Sequence, residues 1–477
     1  MQVGLRIGAQ ERPAENGDTF VHVCPRTGRP VTEAASASTG DALAAADAAQ
    51  AASAAWRATP VGARRDILAR AAELLAAESQ DFIDLMVAET GTSTAWARFN
   101  VDGGVAGLKE AAALASQVAG EVMPSNRAGC LALTERTPVG VVLSIAPWNA
   151  PVHLAVRAIA VPLVCGNTLV FKSSELCPGT HARLAGLFVR AGLPAGVLNV
   201  ISHAPAAGPR IVEALIAHTA VRRVNFTGST RTGRAIGELA GRHLKPALLE
   251  LGGKAPLIVL ADADIEAAGD AAAFGAFMNQ GQICMSTERI VVDHAIADEF
   301  AACFAALADG LNVRIANGSV DAGALARPAS AAHVQALVSE ATACGARLLT
   351  AAGDECIVLD HVDASMRVYR EESFGPVAPI IRVDGEAAAV AVANDSEYGL
   401  AAAVFGRDLS RTLRVARSID CGVCHVNGAT VSSEPHFPFG GVKASGYGRF
   451  GGRAAIEAFT ELRLLTIHTE RQRYGLA

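Results

Sequence analysis

The sequence predicts an α/β protein with two sheet-centred units and a small third β element. Three observations carry this expectation. Short β-rich runs alternate with helical patterns from residue 139 to residue 251. The alternation restarts after Gly253, and two extended stretches, near 122–138 and 458–468, stand outside both series. Strands alternating with helices form βαβ units and a parallel sheet, with ligands received at the carboxyl ends of the strands.

The elements follow in order. Residues 1–40 hold short strand-like pieces with turns at Asn16-Gly17 and Thr27-Gly28-Arg29-Pro30. Residues 41–118 turn helical, with breaks at Pro60, Gly91 and Gly103-Gly104. Residues 122–138 are extended around a turn at 126–129, a hairpin suited to a subunit contact. The regular series then gives strands at 139–146, 167–172, 196–202, 223–226 and 247–251, and helices at 152–165, 181–191, 208–218 and 228–239. The second series has strands at 256–260, 289–292, 377–383 and 422–426. Its helices are a segment capped by Asp264 and running to 278, then 296–311, 331–344 and 386–394. A last strand is expected at 458–468.

At 477 residues the chain is too long for one core and implies two or three domains. A net charge of −6 and a pI near 6.1 offer nucleic acid no basic face. The apolar stretch 139–171 is broken by Pro147, Trp148, Asn149 and Pro151 and carries Arg157, so it reads as a buried strand and helix, not a membrane span. The N-terminus lacks the pattern of a secretory signal. Ten scattered cysteines then suit a reduced set and a cytoplasmic location. Cys421-Gly-Val-Cys424-His425 matches a haem-attachment pattern, but that chemistry goes with export, and no second ligand pair suggests zinc; no metal is expected.

The chemistry centres on residues 279–289, Asn-Gln-Gly-Gln-Ile-Cys-Met-Ser-Thr-Glu-Arg. Taken alone, Cys284 reads as a buried structural thiol. Its surroundings change that reading. Gly281 permits a turn, Asn279, Gln280 and Gln282 make it polar, and the carboxylate of Glu250 lies 34 residues upstream. The segment 226–233, Phe-Thr-Gly-Ser-Thr-Arg-Thr-Gly, runs from a strand through a glycine turn into a helix, and Ser229 or Thr230 can cap that helix. Its free amides suit a pyrophosphate, although the spacing of Gly228 and Gly233 is not that of an ATP-type phosphate loop. Lys172 and Glu175 follow the second strand, as ribose-binding groups or as a plain surface pair; a negative Glu175 would favour NAD over NADP. Two prolines stiffen the turn that holds Asn149, as an oxyanion donor or as an ordinary turn residue.

These parts coincide with a known pattern. The chain resembles the aldehyde dehydrogenase superfamily over essentially its whole length. The matching runs are PWNAP at 147–151, FKSSE at 171–175, FTGST at 226–230, ELGGK at 250–254, GQIC at 281–284, EESFGPV at 371–377 and PFGGVKASGYGR at 438–449. The resemblance implies a Rossmann-like NAD-binding domain of residues 1–118 and 139–251 and a catalytic α/β domain of residues 252–445. It also implies an oligomerisation element of residues 119–138 and 459–477, making a homodimer or homotetramer. It implies that Cys284 is the nucleophile, Glu250 the general base, and Asn149 with the Cys284 amide the oxyanion hole. Lys172 is counted with the catalytic set and with the coenzyme site. Ile145, Trp148, Glu175, Gly228, Ser229 and Gly233 complete the adenosine and pyrophosphate end, and Glu372 and Phe374 the nicotinamide end. The coenzyme is expected to be NAD, with NADP left open.

The implied reaction is an aldehyde oxidation through a thiohemiacetal and a thioester. An ordinary thiol is only about 3% ionised at pH 7, so Cys284 needs activation. One departure stands out: where many members carry a glutamate, this chain has Phe450, leaving Glu250 to serve alone with water. The GQICMSTER wording, Arg157 and the GYGRFGG ending look most like bacterial salicylaldehyde, vanillin and benzaldehyde dehydrogenases. By that analogy His153, Arg157, Ile283 and Met285 form the substrate pocket. Arg157 is open to a second reading, a structural pairing with a carboxylate near Glu250. Semialdehydes or aliphatic aldehydes are the next substrate class.

Overall fold

The computed structural model describes residues 1–351, 355–472 and 474. The end of the 459–477 element, at 473 and 475–477, lies outside the described residues. The first sheet is built from β1 (Val141–Ile145), β2 (Thr168–Lys172), β3 (Leu198–Ile201), β4 (Val221–Thr227) and β5 (Ala247–Glu250). All five are parallel, in the spatial order β5-β4-β1-β2-β3. The order reverses between β1 and β4, so a crevice opens there at the carboxyl ends. Register brings those ends together: Ile145 pairs with Lys172 on one side and Phe226 on the other, and Thr227 pairs with Glu250. Antiparallel strands extend both edges, Gly446–Tyr447 beside β5 and Leu5–Ile7 with Gln10–Arg12 beside β3. The chain after 445 thus returns to the first sheet, and Phe450, Ile456 and Phe459 join its core.

The helix α1 (Pro151–Val164) is apolar almost all round because it is buried on most sides. Pro151 opens it, where a missing N–H costs nothing. Pro162 lies inside it and cannot bond the Ala158 carbonyl one turn earlier. Ser144 Oγ from β1 and Asn225 Nδ2 from β4 donate to that oxygen instead, at 2.9 and 3.2 Å. A sequence-imposed gap in the helix is therefore closed by the sheet beneath it.

The next helix, α2 (Pro178–Arg190), has no side-chain cap of its own. Glu89, fully buried, supplies one from afar. Its carboxylate accepts from Gly179 N at 2.7 Å, Thr180 N at 2.9 Å, and the Thr180 and Thr32 hydroxyls, each at 2.7 Å. Glu89→Ala is expected to cost about 3 kcal/mol, since it strands several buried donors at once. Chemical denaturation would read this as a lower midpoint at unchanged slope.

The second sheet contains β6 (Ala255–Val259), β7 (Thr287–Asp293), β8 (Ile357–Asp360), β9 (Val377–Val383), β10 (Ala401–Phe405) and β11 (Val423–Val426). Their spatial order is β8-β9-β7-β6-β10-β11, all parallel, with Arg347–Leu348 antiparallel outside β8. Strands β8 and β10 and the helix Leu409–Arg417 go beyond the sequence-based expectation. The helix expected from 228 starts at Thr230, because Ser229 caps it by accepting from Thr232 N.

A third sheet pairs Cys130–Pro138 with Thr460–His468 over nine residues, with Val122–Met123 on the other edge. Leu131, Leu462, Leu464 and Ile467 are exposed on it. Among the described residues no helix is long and apolar enough to cross a membrane.

Candidate active site

The helix Ile265–Phe277, capped by the Asp264 side chain, ends just before the cysteine turn. Asn279, Gln280 and Gly281 then take left-handed φ values of 49°, 54° and 70°. Glycine tolerates this, but two successive non-glycine residues there are strained by about 1–3 kcal/mol each and need holding. The side chains supply that hold. Asn279 Oδ1 accepts from Thr92 Oγ1 at 2.7 Å, and Gln280 Nε2 donates to the Glu355 carboxylate. Gln282 Nε2 donates to the carbonyls of Asn279 and Ala324, both at 3.1 Å, and its Oε1 accepts from Ala326 N at 2.9 Å. Those polar residues are therefore the braces of the turn that presents Cys284.

Asn149 Nδ2 donates to the Gln282 carbonyl at 3.0 Å, which ties the turn after β1 to the cysteine turn. Trp96 Nε1 holds the same asparagine's carbonyl at 2.8 Å. On the other side, a Cβ on Gly253 would lie 2.5 Å from the Cys284 carbonyl oxygen, so only glycine lets the ELGGK segment approach this closely. Burial raises the Cys284 thiol well above its ordinary range, and the nearby Glu250 carboxylate adds to this, opposed by the Arg157 charge.

Glu250, at the end of β5, is 1% exposed. Arg157 Nη2 donates to its Oε2 at 2.7 Å and to Thr227 Oγ1 at 3.2 Å. Arg157 is thus paired with a carboxylate, and that carboxylate is Glu250 itself. The guanidinium also faces the rings of Phe450 and Phe439, at 4.4 and 5.0 Å from their centroids. Phe450 thus offers a π-face to a cation where a carboxylate would have competed with Glu250 for it. Glu250 Oε1 and Arg157 Nε are buried and have no hydrogen-bond partner among the described residues, so both retain hydrogen-bonding capacity for a water or substrate.

A cavity of about 480 Å³ runs from Cys284 along the strand ends of the first sheet. Ile145, Trp148, Asn149, Lys172, Glu175, Gly228, Ser229, Glu250, Glu372 and Phe374 all line it. Burial lowers the Lys172 ammonium, against the pull of Glu175. Burial alone would raise Glu175, but Lys172, its own backbone and Arg327 outweigh it and leave the carboxyl low. The cleft fits a dinucleotide on its own geometry. A Cβ on Gly228 would come within 2.5 Å of the Phe226 ring, so glycine lets the turn lie close on that ring where it brings the start of the helix Thr230–Arg242 to the cavity wall.

Two expected residues lie elsewhere. Gly233 does not line the cavity; it faces Leu251, and its missing Cβ lets helix and strand pack closely. His153 packs on Gly103 and, with Arg157 one turn on, lines a separate, mainly apolar cavity of about 50 Å³. Burial lowers its pKa to about 4, with Arg157 adding to the effect, so the ring is neutral at pH 7. Ile283 and Met285 join Trp96, Ala150, Leu154, Met278 and Val431 in an apolar cluster next to the cysteine.

Other contributors escaped the sequence reading. Glu288 and Lys254 form a buried ion pair at 2.6 Å. The Glu288 carboxylate also accepts from Ser373 N at 3.1 Å, Ser373 Oγ at 2.9 Å and Phe374 N at 3.0 Å. This fixes Phe374 at a φ of 44°, with its ring edge-on to Trp148 at 6.0 Å. Glu372 accepts from Gly253 N at 3.0 Å, and burial, then Glu288, push its carboxyl up to about 8. The signal available in sequence was two charged residues, Lys254 and Glu288, bordering buried strands.

A cleft of this shape at parallel strand ends, closed at one end by a thiol with a carboxylate and an amide for neighbours, is the arrangement of a coenzyme-dependent oxidoreductase. The chain belongs to the aldehyde dehydrogenase family, whose pattern matches residues 12–465, and is an oxidoreductase acting on aldehydes with NAD(P). It is 53% identical to a vanillin dehydrogenase of Pseudomonas fluorescens, over 100% of both chains. It is 48% identical to a salicylaldehyde dehydrogenase of Pseudomonas putida, over 99% of this chain and 100% of that one. The crystal structure of a salicylaldehyde dehydrogenase from Pseudomonas putida G7 complexed with salicylaldehyde superposes with a TM-score of 0.96 at 46% identity, covering 100% of both.

Proposed function

We propose that this chain oxidises an aromatic aldehyde of the benzaldehyde, salicylaldehyde or vanillin type to its carboxylic acid, with NAD as preferred coenzyme. The observation that carries the reading is the convergence of Cys284, Glu250 and Asn149 at one end of the cleft. The names of the relatives and the apolar cluster of Trp96, Leu154, Ile283, Met285 and Val431 support an aromatic substrate. A flat ring gains most from such walls, and the apolar side chains of the cluster disfavour a carboxylated semialdehyde.

In this reading Cys284, deprotonated, attacks the aldehyde carbon. An amide carries two hydrogens; one on Asn149 goes to Gln282, and the other, with the Cys284 N–H, holds the oxyanion. A bound nicotinamide coenzyme would supply the hydride acceptor, and loss of that hydride leaves a thioester on Cys284. Glu250 then leaves Arg157, takes a proton from water, and the hydroxide releases the acid. The Glu288–Lys254 anchor keeps Phe374 and Glu372 at the nicotinamide end, while Trp148, Lys172, Glu175, Gly228 and Ser229 hold the adenosine and pyrophosphate end.

The first sheet with residues 1–118 and 139–251 is the coenzyme domain in this account, and 252–445 the catalytic one. The third sheet, with the open edge of Thr460–His468 and its exposed leucines, is the self-association surface of a homodimer or homotetramer. Ten free cysteines suit the cytoplasm.

The test is NADH absorbance with benzaldehyde, salicylaldehyde, vanillin and succinate semialdehyde. An aromatic aldehyde is expected to exceed the semialdehyde in kcat/KM by about tenfold or more, as a few kcal/mol of ring burial implies. The reverse order would reject the aromatic assignment. Arg157→Leu supplies a second check. Without the guanidinium the buried Glu250 carboxylate loses its counter-charge, so kcat is expected to fall about tenfold or more while the KM for NAD holds. An unchanged kcat would show that Arg157 does not support the base.

A further inference from the structure

The mouth of the cleft carries an ion pair between the two halves of the molecule. Arg327 immediately precedes the helix Pro328–Ala343 of the second unit, and its Nη2 lies 2.6 Å from Glu175 Oε1, which follows β2 of the first. Both residues line the large cavity, and so does Lys172. Arg327 is about half exposed, 49% for its side chain, whereas Glu175 is 19% exposed. The carboxylate therefore has Lys172 on its buried side and Arg327 on its open side.

From these positions, and resting on the coenzyme reading above, we infer that Arg327 reads the 2′ position of the adenosine ribose and lets this enzyme take NADP as a second coenzyme. A carboxylate alone at that place accepts from a ribose hydroxyl and repels a 2′-phosphate, which carries close to two negative charges. Here one carboxylate is flanked by two cations, so the local balance is positive. Arg327 is also free to turn: among the described residues its side chain bonds Glu175 alone, and half its surface meets solvent. With NAD it stays on one Glu175 oxygen while the other faces the ribose. With NADP it moves to the phosphate, where a planar guanidinium offers paired donors. Lys172 then remains beside Glu175 and keeps that carboxylate compensated.

The experiment compares wild type, Arg327→Ala and Arg327→Lys by fluorescence titration with NADH and NADPH and by steady-state kinetics with NAD and NADP. For R327A the Kd of NADPH and the KM of NADP are expected to rise about tenfold or more. The NADH and NAD values should stay within about threefold, and kcat should hold with both. R327K, which keeps the charge, is expected to recover most of the NADPH affinity. Equal losses for both coenzymes would overturn the inference, because the pair would then simply hold the two halves together. An unchanged NADP-to-NAD ratio in R327A, or a wild type that binds no NADPH, would overturn it as well. Failure of the aldehyde panel with either coenzyme would sink the wider reading, while the titrations would still decide the role of Arg327.

Discussion

Cys284→Ala is expected to remove aldehyde oxidation, by on the order of 10⁴-fold or more, because the bond that carries the acyl group cannot form. Coenzyme binding should survive within about threefold, since Trp148, Lys172, Glu175 and the helix end at Thr230 are untouched. Measuring both separates a lost nucleophile from a lost fold. Cys284→Ser should be nearly as inactive, because a hydroxyl ionises with far more difficulty than a thiol. The pH dependence follows with a definite sign. Burial, then the Glu250 charge, raise the Cys284 thiol, so the free enzyme holds it protonated at neutral pH. The wild-type kcat/KM should therefore climb with pH through the neutral range, tracking the thiolate fraction. Substantial turnover by C284A, or a kcat/KM flat from acid to alkaline pH, would remove Cys284 from the chemistry.

The legible parts of this molecule are those where local pattern and tertiary role agree. Strand β1 is buried at every position and reads as a strand because valine, leucine and isoleucine suit a two-sided sheet. Strand β10 is just as buried, yet Ala401-Ala-Ala-Val-Phe405 is a helix-forming composition; its neighbours β6 and β11 impose the extended form. The helix Leu409–Arg417 did offer a signal, Asp408 capping Ser410 and Arg411, in a region where no apolar run drew attention to it. Cys284, Glu250 and Asn149 stand out because each sits in a short motif at a strand or helix end. Gly233 belongs to such a motif too, but there the glycine serves packing, which spacing cannot distinguish from ligand approach. His153 and Arg157 are four residues apart on one helix; only the structure separates the one that packs on Gly103 from the one that meets Glu250. Arg327 and Glu175 are 152 residues apart in different units, so no sequence window contains both.

Glu250→Gln is expected to split the reaction at its second half. The amide keeps the shape of the side chain and an oxygen for Arg157, but it takes no proton from water. Acylation should still deliver a burst of about one NADH per active site, followed by turnover slowed by roughly 10²–10³-fold, the usual worth of a general base. A burst-free trace with the same low rate would mean that Glu250 acts before the thioester, in drawing the proton from Cys284. The partner of Glu250 makes the test sharper. Glu250→Gln leaves the Arg157 guanidinium, only 15% exposed, without its counter-charge, and a broken buried pair costs about 3–5 kcal/mol at most, less where Phe439 and Phe450 still face the cation. Part of any activity loss is therefore expected to be instability. Glu250→Gln combined with Arg157→Leu removes both charges and should restore thermal stability relative to E250Q without restoring the steady rate. If the double variant instead regained deacylation, the base would be some other group, and the Glu250–Arg157 pair would be a structural element of the cleft.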